Sequence, residues 1–456
     1  MSVRDSASAP SERIDVAGEC VHAWHGIRYA TAPERFAPSL PATGRLVVSR
    51  QHEVPIFPQL SSRLWAAMGN GKSNPQTEDA FFLNIWAPAY AQGLPVLLFI
   101  HGGAWMTGGG AMEWYDGSRL ASMGLVVVNV NYRIGPLGHM GRSNAHALPL
   151  PAADLLLALK WVIDNIRAYG GDADKITLMG QSSGGWYCHL LSVLPETRGM
   201  FEQVALLSMG TRSPWSAQYQ MDVTATSALN VDGDLGTAPV NEVLKAGVSA
   251  LQREPLRLGH APSAFLPVAS EDLPRDLLDP RWAANACHVN AVYIRNTADE
   301  SAAFFFNVRE QREATQHEVD DELSQWPVAD LPPQLIISNS FAGAQSGMSP
   351  YRQLVAAASW RQFERFPSEY GHQLQQLGTS VRSVKFDLES SLVGFHSGHC
   401  LDLPFQFGNA AAWTDAPMLA GVSPDHFQAT SEALIADIAA FALCRPRNVV
   451  YTDMYE

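Results

Sequence analysis

Basic residues are in short supply: 31 Lys and Arg stand against 45 Asp and Glu, a formal net charge of −14. That balance argues against nucleic acid as a partner, because such binding rests on cations that neutralise phosphates. It argues against an anionic membrane surface for the same reason. Long hydrophobic runs are also missing. The longest, such as Pro95–Ile100, is the size of a strand, so no bilayer-spanning segment is expected. The opening MSVRDSASAPSER carries no apolar core of a secretion signal, and residues 1–12 are expected to be disordered. Cysteine is sparse and unpatterned: Cys20, Cys188, Cys287, Cys400 and Cys444 are odd in number, with no C-x-x-C among them. A disulfide framework or structural zinc site is therefore not expected, and a reducing cytoplasm fits. H-E-x-x-H is absent too, so no metal and no other cofactor is implied.

What is present is core-forming material. Hydrophobic residues make up 46% of the 456 positions, enough for a sizeable core. Short apolar runs alternate with helical stretches: PVLLFI (95–100), LVVVNVNY (125–132), then LLLALKWVIDNI (155–166) at helical spacing, then KITLM (175–179). NAVYIRN (290–296) and VRSVKFDL (381–388) read as later strands. This alternation predicts an α/β domain with a mostly parallel sheet covered on both faces. Regions near 212–285 and 305–380 carry helical patterns broken by Pro and Gly. They read as insertions into a single domain spanning 13–456, with too little apolar content for separate cores. AAMGNGKS (66–73) imitates a phosphate-binding loop, but Ala66 replaces its first glycine and Pro75 interrupts any following helix.

The chemistry centres on MGQSSGGW (179–186). Gly180-Gln181-Ser182-Ser183-Gly184 fits G-x-S-x-G with Ser182 at its centre, a sharp strand-to-helix turn that projects the serine oxygen. On its own the pattern is equally a tight polar turn. A serine hydroxyl is a weak nucleophile and needs a base, an orienting acid and donors for the oxyanion. FIHGGAW (99–105), glycines at the end of a buried strand, offers main-chain donors.

Five motifs in order carry a resemblance to the type B carboxylesterases, the cholinesterase-like branch of the α/β-hydrolases. They are GIRYATAPERFAPS (26–39), TEDAFFLNIWAP (77–88), PVLLFIHGGAWMTGG (95–109), VVVNVNYRIGPLGHM (126–140) and YGGDADKITLMGQSSGG (169–185). The resemblance implies the α/β-hydrolase fold, with helical insertions shaping a gorge, and a Ser-Glu-His triad. TADESAAFF (297–305) matches the family's acid segment and places Glu300 in the acid's position, with Asp299 as the neighbouring alternative. HCLDLPFQFG (399–408) matches the histidine segment from His399, with His396 as the rival. By the same register Gly103, Ala104 and Ser183 supply the oxyanion N–H groups, and Arg35 with Glu78 and Arg133 with Asp172 form buried ion pairs.

The departures bear on substrate. Gln181 stands where the family has a glutamate, which makes a cationic choline ester a poor candidate. Ala104 replaces a glycine and, with Trp105, narrows the acyl side. Ala80 replaces the signature cysteine, so the disulfide of secreted relatives is absent. The expected substrates are small to medium, neutral, largely apolar esters, with Trp105, Gln181, Trp186 and Phe395 as candidate pocket residues. Trp65, Trp114 and Trp215 are further aromatics that could line it. An acyltransferase or amide hydrolase using the same triad is an alternative. A non-catalytic, neuroligin-like binding module is a third reading, against which the three triad residues count. The sequence is silent on oligomeric state.

Overall fold

The structure is a computed structural model that describes residues 9–141, 147–251 and 256–444. Nine strands build one sheet: β1 (Glu12–Val16), β2 (Glu19–Arg28), β3 (Phe82–Pro88), β4 (Leu94–Ile100), β5 (Val126–Val130), β6 (Gly171–Gln181), β7 (Gln203–Leu207), β8 (Ala291–Thr297) and β9 (Ser380–Phe386). Their order across the sheet is β1-β2-β3-β5-β4-β6-β7-β8-β9. From β5 to β9 every neighbouring pair is parallel, while β1, β2 and β3 meet their neighbours antiparallel. This is the α/β-hydrolase architecture. The central strands are near-continuous apolar runs because both of their faces are covered: Val96, Leu97, Leu98, Phe99 and Ile100 are all buried, as are Val126, Val127, Val128 and Val130.

The helices of eight or more residues are α1 (Leu150–Asn165), α2 (Ser183–Val193), α3 (Ala217–Ala228), α4 (Val240–Leu251), α5 (Gln316–Leu323), α6 (Pro350–Ser359), α7 (Arg365–Gln376) and α8 (Pro424–Ala442). Every residue of α2 is buried, which suits a helix that leaves β6, a strand flanked on both sides within the sheet. In the first insertion, α4 turns Val243, Leu244, Ala250 and Leu251 into the main core. The second insertion differs from the sequence expectation. It holds a small apolar cluster of its own around Phe305, Val319, Leu323, Leu335 and Leu354. A turn of π-helix, Trp360–Glu364, joins α6 to α7.

Two expectations need correcting. Disorder does not reach residue 12. Residues 1–8 lie outside the described residues, but Ser11 N donates to Ala23 O at 2.8 Å and Glu12 opens β1. Arg133 does not pair with Asp172. Its Nε and Nη2 fork onto Asp154 of α1 at 2.8 and 2.7 Å, and Nη1 donates to Ala37 O. Asp154 is fully buried and also takes the Ser39 hydroxyl at 2.6 Å. Asp172 sits at the outer end of β6, 3.0 Å from the exposed Lys175. The reason is proximity: α1 presents Asp154 to the main chain of Arg133 as well, whose N–H donates to Asp154 Oδ2 at 3.2 Å. The Arg35–Glu78 pair is present, with contacts of 2.6 and 2.7 Å.

Candidate active site

The site forms where four parallel strands end. After β6 the chain turns sharply at Ser182, with φ 56° and ψ −121°, a conformation that costs a non-glycine residue roughly 1–3 kcal/mol. The surroundings hold it there. Ser182 N donates to Leu207 O at 2.8 Å, and Trp186 N donates to Ser182 O at 3.1 Å. Glycine is required on the far side, because a Cβ at Gly184 would strike the Ile100 carbonyl of β4. The turn therefore lies against the end of β4, where Gly102 approaches so closely that a Cβ there would be 2.9 Å from Ser182 Cβ.

The loop after β4 carries three consecutive positive φ values, 126° at Gly103, 55° at Ala104 and 58° at Trp105. The Gly103 carbonyl accepts from Met106 N and Thr107 N, both at 3.0 Å. The Gly103 and Ala104 N–H groups have no acceptor among the described residues. The Ser183 N–H opens α2, where first-turn donors lack a partner within the helix.

The acid and the base come from the loops after β8 and β9, and the two loops are zipped together. His399 N donates to Glu300 O at 3.1 Å, and Asp299 N to Ser397 O at 2.9 Å. Across this zipper His399 Nδ1 lies 2.5 Å from Glu300 Oε2. Glu300 is fully buried, and its other oxygen accepts from Thr297 N at 2.9 Å and Asn296 Nδ2 at 3.2 Å. Burial works against its charge, but the imidazole first, then the Ser208 hydroxyl and the Thr297 N–H, outweigh it and hold the carboxyl below the ordinary value. Burial likewise opposes a charged His399. The neighbouring Cys400, when ionised, and the Glu300 carboxylate outweigh burial and hold His399 well above the ordinary histidine value. Phe363 and Phe304 cover the imidazole, with ring centroids 4.8 and 5.5 Å away.

The rival residues point elsewhere. Asp299 faces Arg352 at 3.3 Å, and His396 Nδ1 lies 2.7 Å from the exposed Glu389. The partner of His399 Nε2 is not Ser182 but Gln181, whose Nε2 lies 3.3 Å away and equally far from Cys400 Sγ.

Ser182 and His399 open into one cavity of about 560 Å³. Gly103, Ala104, Trp105 and Gln181 line it, as do Trp65, Trp114, Phe304 and Phe363. Trp186 and Phe395, expected in the pocket, are fully buried behind it instead. Trp186 packs edge-on against Trp105 and donates to Arg212 O at 3.0 Å, and Phe395 packs against Phe306. Trp215 also lies in the core, against Phe265. The sequence reading missed Phe363, which the π-turn delivers, and Cys400, whose φ of 74° turns it into the cavity. It also missed Arg63 and Arg212, which line the same cavity. Neither belongs to a motif, and nothing in their local sequence marks them. No group of three or more His, Cys, Asp or Glu among the described residues could hold a metal ion, and no helix among them is long and apolar enough to cross a membrane.

Comparison with known proteins fits this geometry. The model of the carboxylesterase family matches residues 11–245. A Rhodococcus erythropolis protein named "Probable N-octanoylanthranilate hydrolase" is 33% identical over 423 residues, covering 89% of this chain and 85% of its own. The para-nitrobenzyl esterase of Bacillus subtilis is 30% identical, covering 85% of this chain and 80% of its own. Among solved structures, a carboxylesterase of Geobacillus stearothermophilus superposes with a TM-score of 0.77 at 26% identity, over 97% of this chain and 91% of that one. The chain thus belongs to the carboxylesterase family, and it is an enzyme of the serine carboxylesterase type.

Proposed function

We propose that the protein hydrolyses carboxylic esters of small to medium size through Ser182, His399 and Glu300. The observation that carries this is the 2.5 Å contact between His399 Nδ1 and the buried Glu300, set in one cavity with a serine at a strained elbow. Glu300 holds the imidazole with its proton on Nδ1 and leaves the Nε2 lone pair free to act as base. In the reacting complex the Ser182 hydroxyl takes over that lone pair from the Gln181 carboxamide. Serine Oγ attacks the acyl carbon as its proton passes to Nε2. The oxyanion forms against the N–H groups of Gly103, Ala104 and Ser183, which are fixed before the charge develops. As the tetrahedral species collapses, the C–O bond breaks and the imidazolium gives its proton to the leaving alkoxide. Water, deprotonated by the same nitrogen, then releases the acid and restores Ser182. The scattered cysteines support a cytoplasmic location.

Reaction with a fluorophosphonate probe, mapped by mass spectrometry, tests this directly. One adduct is expected, on Ser182. Ser182→Ala should lose it, together with at least roughly 10⁴-fold of the turnover of para-nitrophenyl butyrate. An adduct that persists in the variant would sink the proposal.

A second reading is hydrolysis of N-acyl amides. It is favoured by the Rhodococcus relative, which is named for an N-octanoyl amide substrate. The same acyl-enzyme serves both bonds, and the ratio of turnover for an octanoyl anilide and its octanoyl phenyl ester separates them.

A further inference from the structure

The charge lining the catalytic cavity is opposite to that of the molecule. The chain carries a net charge of −14. Yet, besides the catalytic His399, the ionisable side chains of the acid and base types lining the cavity among the described residues are Arg63, Lys72 and Arg212, with no aspartate or glutamate. Lys72 is balanced by Glu113 at 3.1 Å. The two arginines are not balanced. Arg63 Nη1 donates to Ser263 O at 2.5 Å, and Arg212 Nη2 donates to Pro262 O at 2.9 Å and Ala261 O at 3.3 Å. The acceptors of both among the described residues are main-chain carbonyls, with no carboxylate.

The three-residue loop 261–263 thus clamps both side chains from one side and brings the two guanidinium groups near each other. The proximity is felt electrostatically: burial first, then the charge of Arg63, lowers Arg212 to about 10. Both remain cations at neutral pH. Two like charges, partly desolvated and without a counter-ion among the described residues, raise the energy of the folded chain. Such a conflict in an otherwise consistent fold marks a functional site. Each planar fork keeps N–H donors beyond those spent on the loop carbonyls. Leu244, Val248 and Ala264 give the neighbouring wall an apolar character, which strengthens charge-assisted contacts. Trp186, in the first turn after the nucleophile, fixes the Arg212 main chain, so this cationic wall is tied to the elbow itself.

We propose that Arg63 and Arg212 form a carboxylate-binding subsite, and that the preferred substrates are carboxylic esters or amides carrying a second, ionised carboxylate group. This rests on the hydrolase reading of Ser182 and replaces the expectation of neutral substrates with an anionic class.

The test compares isosteric pairs that differ only in carboxylate against carboxamide. Para-nitrophenyl glutarate and para-nitrophenyl glutaramate place the group on the acyl half. Ortho-acetoxybenzoate and ortho-acetoxybenzamide place it on the leaving half. In at least one pair kcat/KM should favour the carboxylate by roughly tenfold or more, and the preference should shrink as salt is raised. Arg63→Gln/Arg212→Gln should abolish that preference, and Arg212→Lys should keep more of it than Arg212→Gln. Carboxamide members used as well as or better than their partners in both pairs would overturn the proposal, with no variant needed. So would a preference that survives in the folded double variant. Fluorophosphonate labelling of Ser182 runs alongside. Labelling with no carboxylate preference removes this inference alone, whereas no labelling and no turnover of either pair removes the hydrolase reading and this one with it.

Discussion

At the scale of single residues, Gln181 sets the resting state of the base. Its carboxamide lies 3.3 Å from His399 Nε2, the nitrogen that must receive the serine proton. With Nδ1 engaged by Glu300, the partners assign the neutral tautomer, with the Nε2 lone pair accepting from an uncharged donor. Catalysis needs that neutral form. Because the imidazole titrates above 6.5, kcat/KM should fall as pH drops through an apparent pKa above that value. Gln181→Glu would set a carboxylate beside Nε2 and favour the imidazolium, so the acid limb should move to higher pH by about 1 unit or more. A limb that stays in place in a pH–rate profile would rule this out. Glu300→Gln keeps the shape but loses the charge that supports the imidazolium, and kcat should fall by about 10³ to 10⁴.

At the scale of elements, two ion pairs fasten the pieces that carry the site. Arg133–Asp154 ties α1 to the loop after β5, with side chains 2% and 0% exposed. Arg295–Asp402 ties β8 to the segment after His399, with both side chains fully buried. Asp154→Ala would strand a buried guanidinium and should cost about 3–5 kcal/mol in a urea unfolding curve. Asp172→Asn, at the position expected from the resemblance, should stay within about 0.5 kcal/mol; equal losses would show the pairing to be wrong. The comparison also marks what could be read in the sequence. Strands β4, β5, β6 and β8 were legible because burial on both faces makes them largely apolar runs; the partly exposed edge strand β9 was read as well, whereas the equally buried β7 was not picked out. The first three strands were not picked out: β1 alternates between half-buried and exposed positions, β2 mixes histidines and glycine among its buried residues, and β3 lay within a motif. The motif register led to Glu300 and His399, which the zippered loops bring together. The choice between Asp154 and Asp172 was illegible because it depends on how a helix crosses the sheet. Arg63 and Arg212 were illegible because only the 261–263 loop brings them into one wall.

At the scale of the whole molecule, the reacting groups and the wall around them have different supports. Glu300 titrates below its ordinary value in the folded chain. Its stabilising contribution is present above about 4.5 and is lost as pH falls through the folded value. Melting temperatures should therefore drop on acidification below about pH 4.5, and Glu300→Gln should lessen the slope there; an unchanged slope would mean that other carboxylates carry the loss. The nucleophile, the acid, the base and the oxyanion loop all hang from strand ends and answer to the register of the sheet. Phe363 does not. It reaches His399 from the π-turn of the second insertion, which has an apolar cluster of its own. Insertions and deletions between Phe305 and Ser359, ahead of α7, whose Phe366, Tyr370 and Leu374 belong to the main core, can thus change what is admitted while the sheet keeps its alignment. An ancestor built this way can diversify its diet by drift in one replaceable cassette, without having to reinvent the chemistry.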